Sequence, residues 1–256
     1  MKSKKAASCG PIPIWGINPV YEFLKVCPEA VKGVYILPSF GRKKRQALLL
    51  NFSQKKGHIP ETVSGFSMLR MPSDAVHQGI SAIVLPVWET AFDALLESLK
   101  GRDSLFLLCD GVTDPQNFGA IIRSAVSFDV DAVVVPRRNS SPVTGTVVKA
   151  SVGAISRAKI CQVENLARSM VSLKEKGFVI IGLSPEAEQA IWDLPISGKI
   201  AMVAGAEGKG LRHIVKKSCD ILAMIPISER SLSLNVATAT GIALYEAARK
   251  RRQGLC

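Results

Sequence analysis

Three stretches of the chain combine glycine turns with asparagine, arginine, serine and carboxylate side chains, and each follows an apolar run. They are CDGVTDPQNFGAIIRSA (109–125), VAGAEGKGLR (203–212) and MIPISERSLSLNVATATGIALYEAAR (224–249). A glycine-rich turn after a hydrophobic segment first suggests a phosphate cradle, but the details disagree. A Walker loop needs GxxxxGK[ST], and GAEGKGLR lacks both that spacing and a hydroxyl after Lys209. A dinucleotide fingerprint needs GxGxxG early in a βαβ unit with an acid about 20 residues later. Here the glycines run GxxGxG, late in the chain, and Glu207 sits inside the loop, where it repels phosphate. Gly205, Gly208 and Gly210 permit tight turning and close backbone approach. Asn117 and Asn235 can donate and accept at once, which suits holding loops together or orienting a hydroxyl.

The elements that must position these residues follow from hydrophobic patterning. From Ser104 onward, SLFLLCD, DAVVVP, FVIIGLSP, KIAMVAGAE and ILAMIPI are apolar on both faces, as expected of a parallel sheet covered by helices. NFGAIIRSAVSF and NLARSMVSLKEKG have helical spacing, and LNVATATGIALYEAARKRRQ predicts a long last helix. In parallel α/β sheets ligands sit beyond the carboxyl ends of strands, so all three stretches can converge on one site. Ahead of this, INPVYEFLKV and RKKRQALLLNFSQKKG predict helices, and GVYILPS, FSMLRM and ISAIVLP predict short strands. The chain therefore divides into an amino-terminal α/β domain (12–86), a connector (87–103) whose helix-like pattern ends at Gly101, and a second α/β domain (104–256).

Composition narrows the class further. The chain has 256 residues, 47% of them hydrophobic and 21% charged, as in a globular protein. No run of apolar residues is long enough for a membrane span, and no apolar core follows the basic start MKSKK, so a cytoplasmic location is expected. The six cysteines are scattered with no CxxC pair, and the three histidines do not cluster. A structural metal site and a disulfide framework are thus disfavoured, and Cys109 reads as a small buried hydrophobe. The net charge of +12 points to a polyanionic partner. Residues 1–100 hold 13 Lys+Arg against 7 Asp+Glu, a denser excess than over the rest of the chain, concentrated in KSKK, GRKKRQ and SQKKGH.

The three stretches resemble, in order, the three motifs of the SPOUT class of RNA methyltransferases, specifically the SpoU/TrmH-type ribose 2'-O-methyltransferases. The front part, through MPSDAVHQGISAIV, is similar to the substrate-binding domain of the subgroup that acts on guanosine of 23S rRNA. The resemblance covers nearly the whole chain after about residue 12. It implies an α/β fold with a mostly parallel sheet and a deep trefoil knot, a rare exception to unknotted connections, plus a small L30e-like amino-terminal domain. It also implies S-adenosyl-L-methionine as cofactor and a homodimer. Carried over by position, Gly205, Ile225 and Leu234 contact the cofactor, largely through backbone groups. Asn117, Arg123, Glu207, Ser233 and Asn235 match the catalytic and site-organising positions. A positive sulfonium tolerates a nearby carboxylate, whereas a triphosphate does not. Arginine stays protonated in proteins, so Arg123 is read as a cation holding an RNA phosphate and stabilising a developing alkoxide rather than as a simple base. The chain departs from the family pattern at Glu229 and Arg230, where small residues are commoner, and at Ala237, where serine often sits.

Each of these residues also has a plainer reading. Asn117 could be a helix-start residue, Glu207 a helix N-terminal acid, and Ser233 and Asn235 caps of the last helix. Arg123 could be a surface arginine and His77 an ordinary loop histidine, against its alternative role as an RNA contact. The runs Arg42–Arg45 (Arg42, Lys43, Lys44, Arg45) and Arg249–Arg252 could be solvated faces, against RNA contact for the first. The expected function is S-adenosyl-L-methionine-dependent methylation of a ribose 2'-hydroxyl in RNA, with rRNA favoured over tRNA because of residues 12–85, and with neither DNA nor membrane as partner. The alternatives are a tRNA enzyme of the same kind and a non-catalytic knotted RNA-binding or ribosome-assembly factor. The glycine spacing disfavours an NAD-type oxidoreductase.

Overall fold

The computed structural model describes residues 10–230 and 233–253. It divides into two compact units: residues up to Trp88 with Val143–Arg157, and Glu89–Pro142 with the chain from Ala158 onward. The tail KSKK lies outside the described residues.

The first unit contains β1 (Ile12–Trp15), α1 (Ile17–Val26), β2 (Val31–Ile36), α2 (Lys44–Lys55), β3 (Glu61–Thr62) and β4 (Ile80–Val84). Its sheet runs β1-β4-β2-β3, with β4 antiparallel to both neighbours and β3 parallel to β2. The strand β1 was not among those expected, because Pro13 interrupts its pattern; it is an edge strand, the one place where a missing N–H does no harm. FSMLRM, expected as a strand, is instead a 3-10 turn over Ser67–Leu69 followed by Arg70 at φ 49°. Phe66 and Leu69 are both buried, and a spacing of three places them on one side of such a turn rather than alternating across a strand.

The second unit begins with α3 (Phe92–Ser98), β5 (Ser104–Asp110), α4 (Pro115–Ser127) and β6 (Ala132–Pro136). The helix α5 (Gly145–Ala150) belongs to the first unit. The second unit resumes with β7 (Ile160–Val163), α6 (Leu166–Glu175), β8 (Val179–Leu183), β9 (Gln189–Ala190), β10 (Lys199–Gly205), α7 (His213–Ser218), β11 (Ile221–Met224) and α8 (Val236–Gln253). The sheet order is β7-β6-β5-β10-β8-β11-β9, and every pairing is parallel. All seven residues of β5 are buried, as strands covered on both faces require. Residues 87–103 hold α3, in keeping with their helix-like pattern; its Leu95 and Leu96, with Leu99 just after it, lie in one apolar cluster with Phe106, Phe178 and Ile180. Cys109 in β5 is fully buried, and burial pushes its thiol up to about 12, so it stays protonated and acts as an apolar filler.

Two helices on this sheet show how sequence sets their position. Asp114 caps α4 by accepting from the Asn117 N–H at 2.7 Å, Pro115 opens it, and Phe118, Ile121, Ile122 and Ala125 form its buried stripe. Helix α8 packs on α4 with Gly241 beside Ser124. Its basic end is not simply a solvated face. Lys250 is buried and donates to the Trp192 carbonyl at 2.6 Å and to the Leu194 carbonyl, while Arg249 and Arg252 pair with Glu246 and Asp129. Among the described residues no helix is long and apolar enough to cross a membrane.

The first unit is sensitive at Gly145. A Cβ added there would lie 2.2 Å from the Trp15 ring and 2.4 Å from the Pro13 carbonyl oxygen, whereas one added at Gly65 meets nothing within 4 Å. Gly145→Ala is expected to lower stability by about 1–3 kcal/mol. Gly65→Ala should be neutral or raise it by about 0.4–1 kcal/mol. Urea-denaturation midpoints of the two variants check the contrast.

Candidate active site

Strands β5 and β10 are neighbours in register, with Asp110 opposite Gly205, so their carboxyl ends open side by side. Gly111 leaves β5 at φ 84° toward α4. After β10 the chain folds back on itself: Ala206 N–H donates to the Gly210 carbonyl at 3.0 Å and Gly210 N–H to the Ala206 carbonyl at 2.9 Å. Gly205 must be glycine, because a Cβ would meet the Gly210 carbonyl carbon at 2.3 Å and the Leu211 nitrogen at 2.5 Å. Asp110, with no exposed surface, braces this loop. Its carboxylate accepts from the Arg212 backbone N–H at 2.8 Å and from the Arg212 guanidinium at 2.6 Å. A buried carboxylate needs such charge-assisted partners. Sequence reasoning passed over this pair; an aspartate ending a wholly apolar strand was the signal for it.

The three stretches meet in one chain of side-chain hydrogen bonds. Asn235 is the residue before α8, and its Oδ1 accepts from the N–H groups of Ala237 at 2.8 Å and Thr238 at 3.3 Å. Its Nδ2 donates to Asn117 Oδ1 at 2.9 Å and lies 3.5 Å from Glu207 Oε1. Asn117 Nδ2 in turn donates to Glu207 Oε2 at 2.8 Å. Asn235 therefore caps α8 and also joins the other two stretches. Asn117 is in the first turn of α4, where its N–H is the group that the Asp114 cap binds. Glu207 is not a helix N-terminal acid, since α7 starts only at His213. Ala237 takes part through its backbone N–H, so serine at that position is not needed for the cap.

The remaining expected residues are not members of this chain. Arg123 lies exposed on α4, about one and two-thirds turns beyond Asn117. No described hydrogen bond or ion pair links its side chain to Asn117, Glu207 or Asn235. Ser233 is exposed and Leu234 half-buried just before the cap, and Ile225 is half-buried just after β11. In the first unit, Arg42, Lys43 and Lys44 are exposed, and Arg45 is exposed with its guanidinium on Asn18 Oδ1. The half-buried His77 accepts from the Gly79 N–H through Nδ1 at 3.0 Å and packs edge-on against Phe66, centroids 4.9 Å apart. It orders its own loop, which is the plainer of its two readings.

The chemistry of this donor set can be tested against a cofactor. Among the described residues no cation pairs with Glu207, which is held only by amide N–H groups. A glycine turn too tight for a Cβ and an unneutralised carboxylate suit a cationic ligand. They disfavour a phosphate. S-adenosyl-L-methionine fits that description.

Comparison with known proteins agrees with this chemistry. Residues 104–245 match the SpoU rRNA Methylase family, and residues 13–87 match the family described as RNA 2'-O ribose methyltransferase substrate binding. The chain is 38% identical to the 23S rRNA (guanosine-2'-O-)-methyltransferase RlmB of Escherichia coli K12 over 93% of its length and 98% of that protein's. In fold it is similar to the SpoU methyltransferase AviRb from Streptomyces viridochromogenes in complex with AdoMet. The TM-score is 0.75 with 23% identity, over 96% of this chain and 92% of that one. A TrmH/SpoU tRNA modifying enzyme from A. aeolicus matches with a TM-score of 0.54 and 27% identity, over 64% of this chain and 83% of that one.

The hydrogen-bond chain makes Asn117→Asp a sharp test. The variant sets a carboxylate against Glu207 in place of a donor, so protonation of the pair is favoured in the folded state. With the folded pKa raised above the unfolded value, the folded state binds more protons, and stability falls as pH rises through the unfolded range. Asn117→Asp should be less stable than the parent at pH 8 by about 1–3 kcal/mol and recover much of the difference near pH 4. Thermal unfolding of both proteins across that range measures it.

Proposed function

The chain belongs to the SpoU family of rRNA methylases, and from that premise we propose that it methylates a ribose 2'-hydroxyl of RNA, with a guanosine of 23S rRNA as target. The observation that carries this reading is the Asn117–Glu207–Asn235 chain, which joins all three stretches at the carboxyl ends of β5 and β10. S-adenosyl-L-methionine, when bound, supplies a methyl group on a positive sulfonium. Gly205, Ile225 and Leu234 are the residues that hold it. Glu207 supplies negative charge beside the cation, and Asn117 and Asn235 fix that carboxylate and the start of α8. Methyl transfer is an in-line displacement, so the work of the protein is to position two reactants and move a proton. Arg123, exposed and always charged, holds a phosphate of the RNA and stabilises the alkoxide as it develops. Ser233, next to Leu234, helps shape the loop between cofactor and RNA.

Several finer features belong to the same proposal. The exposed Ile242 and Tyr245, one turn apart on α8, give an apolar strip suited to a homodimer. The chain from β11 must return past β8 and β10 to bring Asn235 to Asn117, a path consistent with a trefoil knot. Residues 12–86 serve as the RNA-binding domain and 104–256 as the methyltransferase domain, with Arg42, Lys43, Lys44, Arg45 and His77 on the RNA-binding side. A cytoplasmic location follows from ribosomal RNA as substrate. The full-length match to the guanosine methyltransferase favours rRNA over tRNA.

The direct test incubates purified protein and tritiated S-adenosylmethionine with 23S rRNA from a strain lacking the gene, then hydrolyses the RNA in alkali. Label is expected in alkali-resistant dinucleotides that begin with guanosine. Label on a base, on tRNA or on protein would overturn the assignment, and absence of cofactor binding by calorimetry would favour the non-catalytic alternative. Arg123→Ala should lower kcat by about 10²–10³-fold. Arg123→Lys should stay at least roughly tenfold below the parent, because it keeps the charge but loses the fork.

A further inference from the structure

We propose that the groove between α1 and α2 in the first unit is a stacking site for an unpaired RNA base, flanked by cations for the adjoining phosphates. The inference rests on RNA being the substrate. It shares Arg45 with the basic run Arg42–Arg45 and adds Tyr21, Leu48, Phe52 and Lys55, which lie outside that run.

The groove follows from helical spacing. On α1, Ile17, Tyr21 and Lys25 recur every four residues and share a face; on α2, Arg45, Leu48, Phe52 and Lys55 share another. Between the two helices all of these except Lys25 line an open groove of about 480 Å³, together with Leu49 and Asn51. The α2 side thus reads cation, leucine, aromatic, cation over the eleven residues from Arg45 to Lys55, about 15 Å of helix. Tyr21 and Phe52 stand with ring centroids 5.1 Å apart at 42°. Lys25 Nζ lies 5.8 Å from the Tyr21 ring and Lys56 Nζ 5.7 Å from the Phe52 ring.

Two features argue for a ligand rather than for helix packing alone. Leu48 is 60% exposed and Tyr21 37% exposed, so the apolar middle of the groove faces solvent. No carboxylate lines it: residues 30–60 carry seven Lys and Arg and no Asp or Glu. The neighbouring Glu22 is engaged by Arg157 at 2.9 Å. Aromatic rings interleaved with cations are what an unpaired strand requires, because each base offers a π-face and each linkage a phosphate. A duplex keeps its bases stacked and presents only phosphates, so it would use the lysines and arginines and leave the rings idle.

Fluorescence anisotropy with a labelled single-stranded RNA of about a dozen nucleotides, and with the same sequence annealed to its complement, tests the site on the full chain. Tyr21→Leu, which keeps the apolar bulk, should weaken single-strand binding by roughly 5- to 100-fold and leave duplex binding unchanged. Tyr21→Phe should bind as the parent does. Lys55→Gln, an exposed change that does not threaten folding, should weaken single-strand binding and reduce the dependence of log affinity on log salt by about one phosphate. Parental single-strand binding by Tyr21→Leu, with an unchanged melting temperature, would overturn the proposal. So would equal losses on single strand and duplex. The outcome is separate from that of the methylation assay. A parent that transfers no methyl group yet loses single-strand binding on Tyr21→Leu leaves the groove standing and removes the enzymatic reading; active transfer with an unaffected Tyr21→Leu does the reverse.

Discussion

The site depends on the direction of one hydrogen-bond chain. Asn235 Oδ1 is committed to the first N–H groups of α8, so its Nδ2 must face the other way. Asn117 then has to present its oxygen to Asn235 and its nitrogen to the third partner. That partner can only accept, which is what an ionised glutamate does. The polarity of the chain is fixed from the helix cap outward, and Glu207 is its terminus. Each member comes from a different stretch of sequence, so the relay also acts as a clasp: loosening one amide frees a loop after β10, the entry to α8 and a side of α4 together.

The backbone beneath the clasp has little freedom, and for separate reasons. Parallel pairing of β5 with β10 aligns Asp110 with Gly205, so the loops after these strands must leave from the same place. The loop after β10 avoids the crowding by folding tightly onto itself, which the absence of a Cβ at Gly205 allows. The Asp110–Arg212 pair then ties the far end of that loop back to β5. A carboxylate with no exposed surface is costly unless fully satisfied, so the pair holds the loop firmly or not at all. Glu207 is thereby carried on a rigid turn, not a flexible one, and its carboxylate stays where the two asparagines need it.

How much of this could be read from sequence varies with the physics of each element. The strands β5, β6, β8, β10 and β11 stand out because their middles are apolar, and α4 and α6 because a capping side chain precedes a regular apolar stripe. The strands β1, β7 and β9 were not legible: they are edge strands of two to four residues, too short for a period, and β1 contains a proline that only an edge accepts. FSMLRM misled because six residues of mixed pattern do not separate a period of two from one of three. In the site, the residue types and their order along the chain announced themselves, but the pairing of Asn117 with Glu207 and Asn235 did not. Those residues are 90 and 118 positions apart from Asn117, and only the sheet order brings them within hydrogen-bond distance. Asp110 was missed for the opposite reason: an acid at the end of an apolar strand looks like a turn residue until its partner is seen.

Charge makes the division of labour in the chain intelligible. A net charge of +12 invites the view of a uniformly basic surface attracted to any polyanion. The distribution says otherwise. Residues 30–60 contain seven cations and no acid, interleaved with exposed leucine and aromatic side chains, while the loop after β10 presents a carboxylate that no described cation neutralises. Two ligands of opposite sign would compete badly for a site of mixed charge, since each would have to displace the ions suited to the other. Keeping anion-binding groups on one set of elements and a bare carboxylate on another lets a polyphosphate strand and a sulfonium each find a field of the right sign. Arg123 is then the informative exception: it is an exposed cation on the same helix as Asn117, with no described side-chain ion pair.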